Sequence, residues 1–135
     1  MQKVILIGLG LSFLLITQSV WATDKNDCSE TAKTQTDMNA CAYGHKQEAE
    51  AEMEKVYKEL MAKISAASRE RLELARSAWT VYRAEACEFE SLGTQDGSIH
   101  PLIVFQCYTN MAEDYTKRLQ HQLNCEEGDL SCGGQ

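Results

Sequence analysis

Six cysteines are the residues of this chain best equipped for chemistry: Cys28, Cys41, Cys87, Cys107, Cys125 and Cys132. Thiols can ligate metal, pass electrons or cross-link a chain, and spacing decides among these. No Cys-x-x-Cys occurs, so neither a zinc knuckle nor a thioredoxin-type redox pair is signalled, and a Cys-x-x-Cys-His haem attachment is absent. An even cysteine number in a short chain behind an export-like leader reads instead as a disulfide framework. Nested local pairing is the geometric expectation. Cys87 and Cys107 would meet across a helical hairpin, Cys125 and Cys132 would close a short loop, and Cys28 would fold back on Cys41.

The remaining reactive side chains do not assemble into a catalytic pattern. His45, His100 and His121 are not spaced as a ligand set. Gly-x-Ser-x-Gly, His-Glu-x-x-His and a phosphate-binding loop are all absent. No catalytic, cofactor-binding or metal-ligating residue is therefore assigned, no cofactor is implied, and the chain reads as a non-enzyme. His45 falls on an apolar helical stripe, where a hydrogen-bonded core histidine is expected.

Recognition chemistry is better represented. Glu126, Glu127 and Asp129, with Ser131, fall between Cys125 and Cys132, so three carboxylates would sit on a loop held by a disulfide. Such a loop loses little entropy on binding and suits a cationic partner. It could equally be a solvated clasp. Arg83, beside Tyr82 and near Trp79, is a second candidate for partner binding. Its alternative is a stem packed over the core with its charge on Glu85, Glu88 or Asp114. The run Glu48, Glu50, Glu52 and Glu54 reads as a solvated helix face that could also steer a basic partner.

These groups need elements to hold them. Met1 to Ala22 has one early charge at Lys3, an apolar run from Val4 to Ile16, and Val20-Trp21-Ala22 as a cleavage site, the layout of a secretory signal. Cleavage near Ala22 is expected, leaving residues 23–135 as one helical domain outside the cytoplasm, periplasmic or secreted. No second apolar run is long enough to cross a membrane. The chain has 13 Lys and Arg against 20 Asp and Glu, a formal net charge of −7, and losing Lys3 makes it one unit more negative. That balance opposes nucleic acid and anionic membranes and favours cationic partners.

Apolar residues recur at steps of three and four, with no sustained alternation, so the fold is all-α. The first helix spans roughly 35–64, with Met38, Cys41, Ala42, His45, Ala49, Met53, Val56, Tyr57, Leu60, Met61 and Ile64 on one stripe. Glu54 can pair with Lys58, and Glu59 with Lys63. Ser65 and Ser68 break it, and a second helix covers about 69–91, with Leu72, Ala75, Trp79, Tyr82, Ala86 and Phe89 as a packing seam. Residues 93–97 form a turn in which glycines can take positive φ. Ser98 can cap a third helix, with Pro101 in its first turn and Val104, Tyr108, Met111, Tyr115 and Leu119 facing the core. The architecture expected is a small, disulfide-stapled antiparallel three-helix domain with an irregular N-terminal arm and a C-terminal loop.

Several segments together carry a resemblance. Thr36-Asp37-Met38-Asn39-Ala40-Cys41-Ala42 opens the first helix, and Trp79-Thr80-Val81-Tyr82-Arg83 precedes Glu85-Ala86-Cys87. Gly97-Ser98-Ile99-His100-Pro101-Leu102 leads to Gln106-Cys107, and Gly128-Asp129-Leu130-Ser131-Cys132 follows near the end. This set resembles the N-terminal domain of the family named for the LprI lysozyme inhibitor, across essentially all of residues 23–135. The resemblance implies an exported helical protein that binds lysozyme, with occlusion of the cleft of a c-type enzyme as the expected mechanism. Another cationic protein is an alternative partner. A non-catalytic structural or interaction module of the cell envelope is the alternative function. The sequence leaves the oligomeric state open.

Overall fold

The computed structural model describes residues 30–126 and 128–133. The leader, Cys28 and Glu127 lie outside the described residues. Three α-helices make up the body: α1 (Gln35–Lys63), α2 (Ala66–Ser91) and α3 (His100–Leu123). A 3-10 turn at Leu92–Thr94 follows α2. The fold is all-α, as the periodicity predicts, with no strand among the described residues.

Local chemistry sets the helix ends. Thr34 caps α1, its hydroxyl accepting from the Asp37 amide at 3.1 Å while the Asp37 carboxylate accepts from the Thr34 amide at 3.0 Å. Each partner satisfies a donor that the helix would leave exposed. These bonds hold the Asp37 carboxyl below its ordinary range, the Thr34 hydroxyl contributing most. At the other end Ile64 turns extended and Ser65 caps α2, accepting from the Ser68 amide at 3.3 Å. α2 therefore starts three residues earlier than the sequence suggests, and Ser68 lies inside it. The corner is braced by Arg69, whose Nε donates to the Met61 carbonyl at 2.7 Å.

Ser98 is not the cap of α3. Ile99 occupies that position, without a side-chain bond, and Pro101 sits in the first turn, where a missing amide costs nothing. The Ser98 carbonyl instead accepts from Asn39 Nδ2 at 3.0 Å, tying this turn to the start of α1. Nor do Gly93 and Gly97 take positive φ: Gly128 is the one described residue that does, at 90°. The 3-10 turn carries the chain around with ordinary backbone angles.

The helices run up, down and up. Sequential neighbours are antiparallel, so α1 and α3 run parallel, and these two pack most closely. Their shared core is Met53, Val56, Tyr57, Leu60 and Ile64 against Ala112 and Leu119, with Leu72 and Trp79 of α2 packed on its edge. Stacking of Trp79 on Tyr115, with centroids 4.4 Å apart and planes 13° apart, brings α2 onto α3.

Two stripes differ from expectation. On α3 the fully buried row is Cys107, Ala112, Thr116 and Leu119, while Val104, Tyr108, Met111 and Tyr115 are half-buried. α3 presents small residues to α1 so that the backbones can approach, and its aromatics fill the flank beside α2. Thr116 is tolerated there because its hydroxyl donates to the Ala112 carbonyl at 2.8 Å. On α2 the expected seam is half wrong. Leu72, Trp79 and Ala86 turn inward, but Ala75, Tyr82 and Phe89 are exposed, and only Cys87 and Ser91 of that helix are buried.

Disulfides fasten the free ends. Cys87–Cys107 joins α2 to α3 with Cα atoms 5.6 Å apart, and Cys125–Cys132 closes the C-terminal loop with Cα atoms 6.0 Å apart. Both pairings are those expected from the sequence. Cys41 is disulfide-bonded as well. The expected Cys28–Cys41 pairing falls on a residue outside the described set.

Candidate partner-binding site

The C-terminal loop grows directly out of α3. Asn124 ends the helix, Cys125 follows, and the chain turns twice before Cys132: the Asp129 amide donates to the Glu126 carbonyl at 3.1 Å, and the Cys132 amide to the Asp129 carbonyl at 3.2 Å. Gly128 supplies the positive φ that the first turn needs. Asp129 is the internal clasp. One of its carboxylate oxygens accepts both the Ser131 amide, at 2.8 Å, and the Ser131 hydroxyl, at 2.7 Å. The Ser131 hydroxyl, the Ser131 amide and nearby His121 hold the Asp129 carboxyl below its ordinary range. Asp129 thus keeps its negative charge to lower pH than a free aspartate does.

Gln122 fixes the loop to the bundle. Its Nε2 donates to the Ser131 carbonyl at 3.0 Å and its Oε1 accepts from the Gly133 amide at 2.7 Å. The sequence gives no signal for this two-sided clamp, because a glutamine in the last turn of a helix is unremarkable by itself. Leu130 is the second feature missed: it is 100% exposed at the tip of the loop. The result is a braced ring presenting the Glu126 carboxylate, Asp129 and one apolar side chain to solvent.

Arg83 is placed differently from the loop. It points into the groove between the three helices, with its side chain 14% exposed, and its Nη1 lies 2.9 Å from Glu50 on α1. Its guanidinium is held between two rings, 4.8 Å from the Trp79 centroid and 4.7 Å from the Tyr108 centroid. The charge partner is Glu50 rather than Glu85, Glu88 or Asp114. Glu50 also receives Lys46 at 2.9 Å, and Lys46 in turn lies 5.7 Å from the Tyr43 and Tyr108 rings.

One turn away the arrangement repeats: Arg76 lies 2.5 Å from Glu54 and 4.1 Å above the Tyr57 ring. Two of the four glutamates between 48 and 54 thus point at α2, and that run is not a purely solvated face. Glu54 also reaches Lys58 at 3.5 Å, as expected. Lys63, by contrast, donates to the Leu123 carbonyl at 3.3 Å and ties the ends of α1 and α3 together.

The concave surfaces are shallow. An open groove of about 360 Å³ between the starts of α1 and α3 is lined by Met38, His45, Leu102, Gln106 and Asn110 among others. His45 is half-buried there rather than in the core, and it is the one ionisable group in the lining. A neighbouring open surface gathers His45, Glu48, Glu52, Glu113 and Lys117, whose carboxylates are exposed. Cys125, Asp129 and Cys132 come within ligand distance of one another. Both sulfurs are consumed in the disulfide, so they offer no thiolate to a metal.

Comparison with known proteins decides the family. The model of the lysozyme inhibitor LprI family matches residues 26–119. The chain belongs to this LprI family. A protein of Rhizobium meliloti (strain 1021), the uncharacterised protein R02472, is 28% identical over 114 residues, covering 75% of this chain and 81% of that protein. No solved structure matches. The LprI match ends at Leu119, so it covers all of α1 and α2 and most of α3 but stops short of the Cys125–Cys132 loop. The sequence resemblance, which included Gly128 to Cys132, thus reaches further than the family match.

Proposed function

We propose that this protein is an exported, non-catalytic inhibitor of lysozyme that blocks the cleft of a c-type enzyme one-to-one. Membership of the LprI family carries the reading. Three observations support it. Disulfides form and persist in oxidising compartments, which agrees with export through a leader cleaved near Ala22. No helix among the described residues is long and apolar enough to cross a membrane. The formal charge of −7 draws a basic enzyme by long-range attraction.

In this reading the Cys125–Cys132 loop contributes recognition. Glu126, Glu127 and Asp129 present charge, Ser131 and Gln122 hold the frame, and the closed ring limits the entropy lost on docking. Inhibition follows from excluding substrate, not from chemistry at any residue of this chain.

The test is a cell-wall lysis assay with the oxidised chain titrated against c-type lysozyme at low and at physiological salt. Saturating inhibition near one-to-one that persists at physiological salt is expected. Inhibition confined to low salt would reduce the interaction to loose attraction of opposite charges, and its absence would reject the reading. A Glu126, Glu127 and Asp129 triple alanine variant separates the loop from the function: full potency in that variant removes the loop from the interface.

A further inference from the structure

α2 is amphipathic toward solvent as well as toward the bundle. Leu72, Arg76, Trp79, Arg83 and Cys87 face inward. On the opposite side Leu74, Ala78, Val81, Glu85, Phe89 and, just past the helix end, Leu92 follow one another at steps of three and four, with Tyr82 alongside, a path that is apolar except at Glu85. Its large members are open to water: Leu74 is 57% exposed, Val81 and Tyr82 64%, Phe89 74% and Leu92 51%. At 1.5 Å per residue the path runs about 27 Å. Isolated exposed apolar residues need no explanation, but large aromatic and aliphatic side chains aligned on one face over this length, broken only by Glu85, suit an interaction surface.

We propose that the outer face of α2 is the docking surface for a cationic protein, and that in the LprI reading above, on which this inference rests, the occupant is lysozyme itself. Charge selects that occupant over a second copy of this chain. Glu85 interrupts the stripe at its middle, and Glu70, Glu73, Glu88 and Glu90 lie on the same helix, all exposed. Two copies meeting through this face would bring those carboxylates together on chains already at −7. A basic surface meets the same arrangement favourably: Phe89, Tyr82 and Val81 fill an apolar recess while Glu85 and its neighbours pair with lysines or arginines around it.

One further observation points the same way. The family match contains the whole stripe and stops short of the C-terminal loop, so the outer face of α2 lies in the part of the chain that the family shares.

The experiment compares the parent, Phe89→Ala, a Leu74→Ala/Val81→Ala/Phe89→Ala variant and the loop triple alanine variant in the lysis assay at physiological salt. Alanine favours helix and these side chains face water, so thermal melts should match the parent. The expected result is at least a tenfold rise in the inhibitory concentration for Phe89→Ala and loss of inhibition in the triple α2 variant. A triple α2 variant as potent as the parent overturns the surface while leaving the lysozyme reading intact. A parent without inhibition overturns the lysozyme reading and the named occupant together. Sedimentation is read alongside: a parent dimer that the triple α2 variant dissolves overturns the assignment in favour of a second copy of the chain.

Discussion

Replacing Arg83 by alanine tests whether this arginine belongs to the protein's interior or to a partner. Its guanidinium lies between the Trp79 and Tyr108 rings and 2.9 Å from Glu50. Each cation–ring contact in such a partly desolvated site is worth about 0.5–1 kcal/mol. The ion pair, with Glu50 26% exposed, adds about 1 kcal/mol after screening. Two effects lower the sum. Glu50 keeps Lys46 at 2.9 Å, so no carboxylate is stranded, and the Arg83 Nε has no hydrogen-bond partner among the described residues, so its removal relieves an unpaired donor.

The net expectation is a loss of about 2 kcal/mol, which for a domain of this size lowers the melting temperature by roughly 8–12 °C. Circular dichroism at 222 nm on heating reads the shift, and an Arg83→Met variant, which keeps the stem over Trp79, should recover part of it. Inhibition per folded molecule should stay at the parental level in both variants. A parental melt combined with lost inhibition would refute the reasoning, because it would put Arg83 at a binding surface and not in a three-helix clamp.

Two further outcomes follow from the packing and the loop. Leu119→Ala, at a position 2% exposed between α1 and α3, should cost about 3 kcal/mol in urea denaturation; a loss below about 1 kcal/mol would mean that the α1–α3 contact is not the main core. For Asp129 the carboxyl sits below its ordinary value of 3.8 in the folded loop, so the order it contributes is complete above that value and is lost as pH falls through the lowered one. The Ser131 amide resonance should therefore hold its position from neutral pH to about 4 and move only in stronger acid. Movement centred near pH 5 or above would contradict the clasp.

The helices were legible because each carries a local signal that survives without tertiary context. Apolar steps of three and four marked α1, and Pro101 marked the first turn of α3. The two described disulfides were legible because a hairpin and a short loop leave those cysteines few alternatives. What could not be read was which face of a helix finds a partner. α2 has two apolar faces, one through Leu72 and Trp79 and one through Leu74, Val81 and Phe89, and periodicity assigns residues to faces without ranking the faces. Nor does Ala112 or Thr116 advertise itself as core, since a small residue gains its place only when another helix comes close.

The Arg76–Glu54 and Arg83–Glu50 pairs connect positions more than twenty residues apart. Each of those glutamates has a lysine four residues away that looks an equally good partner. At the candidate site the acidic loop was visible as composition between two cysteines. Its bracing by Gln122 was not visible, because that depends on where the end of α3 aims the next ten residues.

The parallel pairing of α1 with α3 sets a timetable for folding. The first and last helices share the core, and the middle one contributes mainly Leu72 and Trp79 to its edge. A growing chain that has produced only α1 and α2 has few apolar contacts to close, since Ala112 and Leu119 have yet to be made. Collapse therefore waits for the final helix, and the contacts that define the native state join residues far apart in the chain, the kind that form late. Under the export proposed above, this delay is useful. A chain held open until its last helix is synthesised stays threadable through a membrane channel. The same feature makes the molecule intolerant of truncation: cutting back the last five residues of α3 takes Leu119 and Leu123 away from the core rather than trimming a loose tail.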